Sequence, residues 1–236
     1  MSAILNLLLK RLGISLIVLV GVSMLIFAIA RVIPGDPARI ALGPNATVEQ
    51  VQNLRDEMHL DEVLPIQYGF FVRDVLRGDL GTSLYTNRPV TQDIAQFLPA
   101  TLELVFLAGI IMVAVGLPLG ILAARYRGRW PDHLVRIIAL LTVSAPGFVW
   151  AVILMLLFAF YLPLFPIAGR LSDIYEIERT TGFLTIDTLL AGNFEAFLDA
   201  VHHLILPAIA LSLSGIGQSA RLTLSLIHIS EPTRPY

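Results

Sequence analysis

The chain contains no cysteine and a single lysine, Lys10, in 236 residues. Without cysteine there is no disulfide framework, thiolate metal site or cysteine nucleophile. A phosphate-binding loop, G-x-x-x-x-G-K-[ST], needs a lysine that reaches the nucleotide phosphates, and no such glycine pattern precedes Lys10. The chain is therefore not expected to hydrolyse ATP or to be an enzyme. Charge is scarce too: 14% of residues are charged, against about 25% in soluble domains. The net charge of −2 predicts no nucleic-acid partner. What is present is apolar: 56% hydrophobic residues and a mean hydropathy of +0.77. So much apolar surface does not fit into one aqueous core, and the composition points to a polytopic membrane protein.

A helix needs roughly 20 apolar residues to cross about 30 Å of hydrocarbon. Uncharged runs predict four spans, at about 12–31, 101–124, 137–162 and 204–221. The third run stays uncharged to Gly169, but Pro163 and Pro166 end the helix near Leu162. The first run, preceded by Lys10-Arg11 and ending in Ala28-Ile29-Ala30, resembles a cleavable signal peptide. It is longer than the roughly 7–15 residues of a signal core, so an uncleaved helix is expected.

Charge sets the orientation. The short connection between spans two and three carries Arg125, Arg127, Arg129 and Arg136 against one acid, Asp132. Basic short loops remain in the cytoplasm. Residues 34–100 hold nine acids and five arginines, and residues 163–203 hold six acids and two arginines. The N-terminus is therefore expected inside and both long loops outside. In the first loop, Thr47-Val48-Glu49-Gln50 reads as a capping box opening a short helix to about His59. Pro65 starts another, to about Leu76, with Tyr68, Phe71, Val72 and Val75 on one side. That amphipathic helix lies on the membrane, on a partner, or against the outer helix ends.

Ionisable groups deep in the spans would mark an ion-driven carrier, and there are none. Glu103 stands at the rim of span two and reads as a boundary or N-terminal helix charge. His202-His203 near Asp199 lack the H-E-x-x-H spacing of a zinc site, and read as an interfacial helix end. Ser212 and Ser214 have no G-x-S-x-G and no deep histidine as base. Asn45-Ala46-Thr47 matches a glycosylation sequon no better than chance does. Gly116-Leu117-Pro118-Leu119-Gly120 combines a GxxxG spacing with proline in span two. Pro146 interrupts span three and Pro207 lies early in span four. Such devices suit a bundle lining a pathway and equally a static bundle.

Ordered strings carry a family resemblance: Lys10-Arg11-Leu12, Ile33-Pro34-Gly35-Asp36-Pro37, Gly78-Asp79-Leu80-Gly81-Thr82-Ser83 and Ala100-Thr101-Leu102-Glu103-Leu104. They continue with Gly120-Ile121-Leu122-Ala123-Ala124, Gly169-Arg170-Leu171-Ser172-Asp173, Thr181-Gly182-Phe183 and Leu204-Ile205-Leu206-Pro207-Ala208. Over about residues 1–223 the chain resembles the B-type permease subunit of dipeptide/oligopeptide ABC importers, a family with nickel and glutathione branches. The 163–203 segment looks most like the dipeptide branch. The resemblance implies an all-α integral membrane bundle of the type I ABC importer permease kind, with four of an expected six spans and long extracytoplasmic loops containing short helices. It implies a bacterial or archaeal inner membrane location, and as partners a second homologous permease, two cytoplasmic ATPase subunits and an extracytoplasmic solute-binding protein. No cofactor or metal is implied. The motif positions Pro34, Gly35, Asp36, Pro37, Gly78, Asp79, Gly81, Glu103, Pro146 and Pro207 are expected to be structural, because Pro-Gly-Asp-Pro and Gly-Asp-Leu-Gly are turn sequences. A self-contained channel or carrier, and a membrane scaffold, are the alternatives.

After Thr223 the family pattern would continue into a cytoplasmic coupling loop. Residues 224–236 instead resemble the translation of a transposase-end sequencing adapter, whose codons read Leu224 to Arg234. That tail is expected to be an artefact.

Overall fold

The computed structural model describes residues 2–32, 36–43, 45–83 and 85–230, without the side chains of 2, 3, 32 and 224–230. Its regular elements are helical: α1 (Ser2–Val32), α2 (Pro37–Leu42), α3 (Val48–Glu57), α4 (Leu64–Leu76), α5 (Val90–Arg125), α6 (Trp130–Ser144), α7 (Gly147–Leu154), a π-helical segment (Met155–Tyr161), α8 (Leu184–Leu190) and α9 (Phe194–Ser230). Among the described residues there is no strand, only an isolated bridge between Thr82 and Pro89. The chain divides into two compact units, residues 1–94 and 95–236.

In the first unit, α1 is apolar all round and its most hydrophobic window buries nothing in the protein. Leaving one such Leu or Ile in water rather than burying it forgoes about 1.5–3 kcal/mol. Repeated along the helix, that cost makes lipid the medium that satisfies it. Near its end, Ser23 Oγ meets the Tyr68 hydroxyl at 2.7 Å. Phe27 packs on the rings of Tyr68 and Phe71, with centroids 5.5 and 5.4 Å away. The apolar side of α4 read from the sequence thus lies against α1. The predicted capping box is present: Gln50 N–H donates to Thr47 Oγ1, and Thr47 N–H to Gln50 Oε1. Gln67 Nε2 donates to the Leu60 and Glu62 carbonyls and ties the α3–α4 turn to α4.

In the second unit, α5, α6 and α9 meet around Ala123, Val135 and Ala220, with Leu119 against them. Small residues let the backbones approach. A Cβ placed on Gly116 would stand 2.9 Å from Ser219 Cβ, and one on Gly120 would stand 2.6 Å from Thr223 Cβ. A Cβ on Gly217 would run into Thr142 Oγ1. The GxxxG spacing of α5 is therefore a helix–helix contact with α9.

Among the described residues three helices are long and apolar enough to cross a membrane: Ile4–Arg31, Val90–Arg125 and Phe194–Thr223. The bent pair Trp130–Ser144 and Gly147–Tyr161, turned by 102°, makes up to four. The helices differ from the spans read off the uncharged runs. α5 starts at Val90 and α9 at Phe194, because Asp93, Glu195 and Asp199 interrupt an uncharged run without interrupting a helix. The single span expected at 137–162 is two helices. Ala145 is extended (φ −107°, ψ 143°) ahead of Pro146, whose ring disfavours the helical conformation in the residue before it. The backbone of 224–230 continues α9, and residues 231–236 lie outside the described residues.

Candidate functional site

The part of the second unit with the densest polar chemistry is the connection between the π-helical segment and α9. The π-helical segment ends where Leu162 N–H reaches back to the Leu157 carbonyl at 3.0 Å, just before Pro163. The chain then runs without regular structure to α8, and three carboxylates hold it.

Glu103 is the first. Its Oε2 accepts from Arg170 Nη2 at 2.5 Å. Its Oε1 accepts from the Thr185 N–H at 2.7 Å and the Thr185 hydroxyl at 2.6 Å. Thr185 lies in the first turn of α8, whose backbone N–H groups have no partner inside the helix. A carboxylate from α5 thus supplies the acceptor that this turn lacks. Arg170 Nη2 also donates to the Gly182 carbonyl at 3.3 Å. Glu103 is not an N-terminal helix charge. It lies well inside the helix that begins at Val90, its side chain is 5% exposed, and it is ion-paired. The sequence signal for this was the Arg170-to-Thr185 stretch, which carries two cations, Arg170 and Arg179, and a threonine-rich turn, but nothing in the sequence joins it to α5.

Asp187 is the second. It accepts from the Thr181 N–H at 2.8 Å, the Thr181 hydroxyl at 2.7 Å and the Gly182 N–H at 3.1 Å. Burial by itself pushes this carboxyl up. The three hydrogen bonds and the Arg170 charge outweigh burial and hold it below its ordinary value. Gly182 has φ +80°, and a Cβ there would also meet Pro99 at 3.0 Å, so glycine fits and larger residues do not.

Asp199 is the third. It accepts from the Ser172 N–H at 2.7 Å and the Ser172 hydroxyl at 2.9 Å. One turn on, His203 Nδ1 lies 2.9 Å from the Asp199 carbonyl and 3.5 Å from its carboxylate. His202 Nε2 lies 2.9 Å from the Leu164 carbonyl. His202 thus ties the loop to α9, whereas His203 is bonded within α9.

Beside these contacts is a cavity of about 180 Å³, lined by Met155, Gly169, His203 and Pro207 among others. Pro207 removes one backbone donor within α9 and so loosens the ladder beside this cavity. Among the described residues no group of three or more His, Cys, Asp and Glu is placed to hold a metal ion. What the geometry provides is a polar segment fastened to α5 through Glu103 and to α9 through Asp199, helices that meet through small residues.

The remaining motif residues are turn and cap elements. Pro34 and Gly35 lie outside the described residues. Asp36 caps α2, accepting from the Ala38 N–H at 3.1 Å, and pairs with Arg55 at 3.0 Å. Pro37 is the first residue of α2. Gly78 and Gly81 have φ of +86° and +75°, and Asp79 Oδ1 accepts from the Gly81 N–H at 2.8 Å. Pro146 caps α7 at the bend.

Two family models match in chain order. Residues 4–105 match the N-terminal part of the binding-protein-dependent transport system membrane components. Residues 116–232 match the binding-protein-dependent transport system inner membrane component itself. The chain belongs to this family. Among curated relatives of this inner membrane component, the probable D,D-dipeptide transport system permease protein of Escherichia coli (strain K12) is 44% identical over 206 residues, covering 87% of this chain and 61% of the relative. The dipeptide transport system permease protein of Alkalihalophilus pseudofirmus is 38% identical, over 92% of this chain and 65% of the relative. The di/tripeptide transport system permease protein of Pseudomonas aeruginosa is 41% identical with the same coverage. The chain spans 61–65% of the length of these three relatives. The inner membrane component is thus an integral membrane helical protein, as its apolar helices require.

Proposed function

We propose that this chain is a permease subunit of a binding-protein-dependent ABC importer for small peptides, forming half of the translocation path. The observation that carries this reading is the set of relatives at 38–44% identity, each named as a dipeptide, D,D-dipeptide or di/tripeptide permease. The partners are a second homologous permease, two cytoplasmic ATPases that supply the energy, and a solute-binding protein that docks outside. The lack of a phosphate-binding loop accords with a motor on another chain. The N-terminus is cytoplasmic, the arginines at 125–136 face the cytoplasm, and the carboxylate-braced 163–203 segment faces outward as part of the docking surface.

The test is reconstitution of the full-length subunit with its partners in proteoliposomes. ATP-dependent uptake of radiolabelled Ala-Phe supports the reading. Uptake that persists without the ATPases argues for a self-powered carrier, and no uptake under any condition for a scaffold.

A further inference from the structure

The apolar run of α1 lies between Arg11 and Arg31, with no charge from Leu12 to Ala30. At about 1.5 Å per residue that run covers roughly 28 Å, barely the thickness of the hydrocarbon. It has no length to spare, so its Arg31 end stands at the membrane boundary and not above it. The level of any element packed on its last turns follows from that.

α4 packs there. The Tyr68 hydroxyl meets Ser23 Oγ at 2.7 Å, and Phe27 lies against the rings of Tyr68 and Phe71. Ser23 and Phe27 precede Arg31 by about two turns and one turn, roughly 12 and 6 Å along the axis. α4 is therefore level with the membrane boundary. The polar atoms at this depth are matched inside the protein, as hydrocarbon requires. Ser23 Oγ donates to the Val20 carbonyl at 2.8 Å, which leaves the Tyr68 hydroxyl as the donor to Ser23.

The sequence of α4 is divided to match. At about 100° per residue, Leu64, Tyr68, Phe71, Val72, Val75 and Leu76 share an arc of about 140° that carries no charge. Tyr68 and Phe71 turn part of it onto Phe27. Leu64 and Leu76 stay open, 42% and 81% exposed. The other side is polar. Arg73 Nε donates to Asp74 Oδ1 at 3.0 Å, and Gln67 Nε2 donates to the Leu60 and Glu62 carbonyls. One charged side and one open apolar side are the marks of a helix that lies in a membrane boundary.

We propose that α4 is an interfacial anchor, with Leu64 and Leu76 among phospholipid acyl chains and Arg73 and Asp74 on the aqueous side. Its partner is the lipid around α1, because the open arc continues the surface of a helix whose most hydrophobic window buries nothing in the protein. The leaflet is the one at the Arg31 end of α1. That it is the outer leaflet rests on the orientation proposed above.

The experiment uses the full-length subunit assembled with its partners, cysteine-free except at one introduced position, in nanodiscs of phosphatidylethanolamine and phosphatidylglycerol. Leu64→Cys, Leu76→Cys and Arg73→Cys are spin-labelled. Electron paramagnetic resonance then measures collisions with oxygen, which dissolves in lipid, and with a water-soluble nickel chelate. The expected result is an oxygen-to-nickel ratio at least threefold higher at positions 64 and 76 than at 73. Free access of nickel to all three positions overturns the anchor, in favour of an aqueous face. Shielding of 64 and 76 from both reagents also overturns it, in favour of a protein partner. The readout is the same in either leaflet, so it stands apart from the orientation. ATP-driven uptake of Ala-Phe is measured in parallel. Lipid-exposed labels in a complex that takes up no peptide uphold the anchor and count against the transport reading alone.

Discussion

Arg170 and Glu103, 67 positions apart in sequence, form an ion pair with Nη2 and Oε2 at 2.5 Å. The Glu103 side chain is 5% exposed and that of Arg170 27%. The same carboxylate takes both donors of Thr185. A long helix and an irregular segment are thereby fastened at one point, and α8 receives the acceptor its first turn lacks.

Removing one member of such a buried pair leaves the other charge uncompensated, which costs about 3–5 kcal/mol. Arg170→Ala should lower the thermal midpoint of the detergent-solubilised subunit markedly. Glu103→Ala should lower it further, because it also strands Thr185. The double variant should cost less than the sum of the two. Additive single effects in a double-mutant cycle would show that the pair contributes no coupling.

The α5–α9 contact depends on the absence of side chains. A Cβ on Gly120 would meet Thr223 Cβ at 2.6 Å and the Ala220 carbonyl oxygen at 2.9 Å. Gly120→Ala should therefore destabilise by about 1–3 kcal/mol, the usual cost of overpacking. Gly109→Ala, where nothing lies within 4 Å of the added carbon, should be neutral or slightly stabilising. Thr223→Gly, which removes the clashing Cβ, should rescue Gly120→Ala only in part, because the carbonyl contact remains. Thermal unfolding of the three variants beside the unaltered protein checks the ranking.

Asp187 gives a pH dependence with a definite sign. Its carboxyl is held below the ordinary 3.8 in the folded protein. The resulting stability is fully present above that unfolded value and is lost as pH falls through the lower, folded one. The difference in thermal midpoint between the unaltered protein and Asp187→Asn should be constant from pH 7 to about pH 5. It should then shrink as the pH falls below 3.8. A difference that grows on acidification would contradict the assignment.

Much of the architecture was legible because membranes impose simple rules. Uncharged runs located the cores of the long helices. Thr47 and Gln50 announced the start of α3, and the proline at 65 the start of α4. Helix ends were less legible. Asp93, Glu195 and Asp199 look like span boundaries in a charge count but sit in continuous helix, where Asp93 accepts from Thr86 and Asp199 from Ser172. Pro146 was visible as an interruption, whereas a 102° turn depends on what packs around Ala145 and Pro146. The largest gap concerned the carboxylate cluster. Glu103, Asp187 and Asp199 each look ordinary alone. Their role comes from Arg170, Thr185, Thr181 and Ser172, brought to them by tertiary folding that no local spacing encodes.

The most direct test of the account is sidedness, and these 236 residues hold no cysteine to compete with an introduced one. Single cysteines are placed at Arg129 and at Glu176 in the full-length subunit, in its native membrane, and probed with a membrane-impermeant maleimide from each side. The account predicts that the position-129 thiol reacts only from the cytoplasmic side and the position-176 thiol only from the outside. Labelling of position 129 from outside would contradict it.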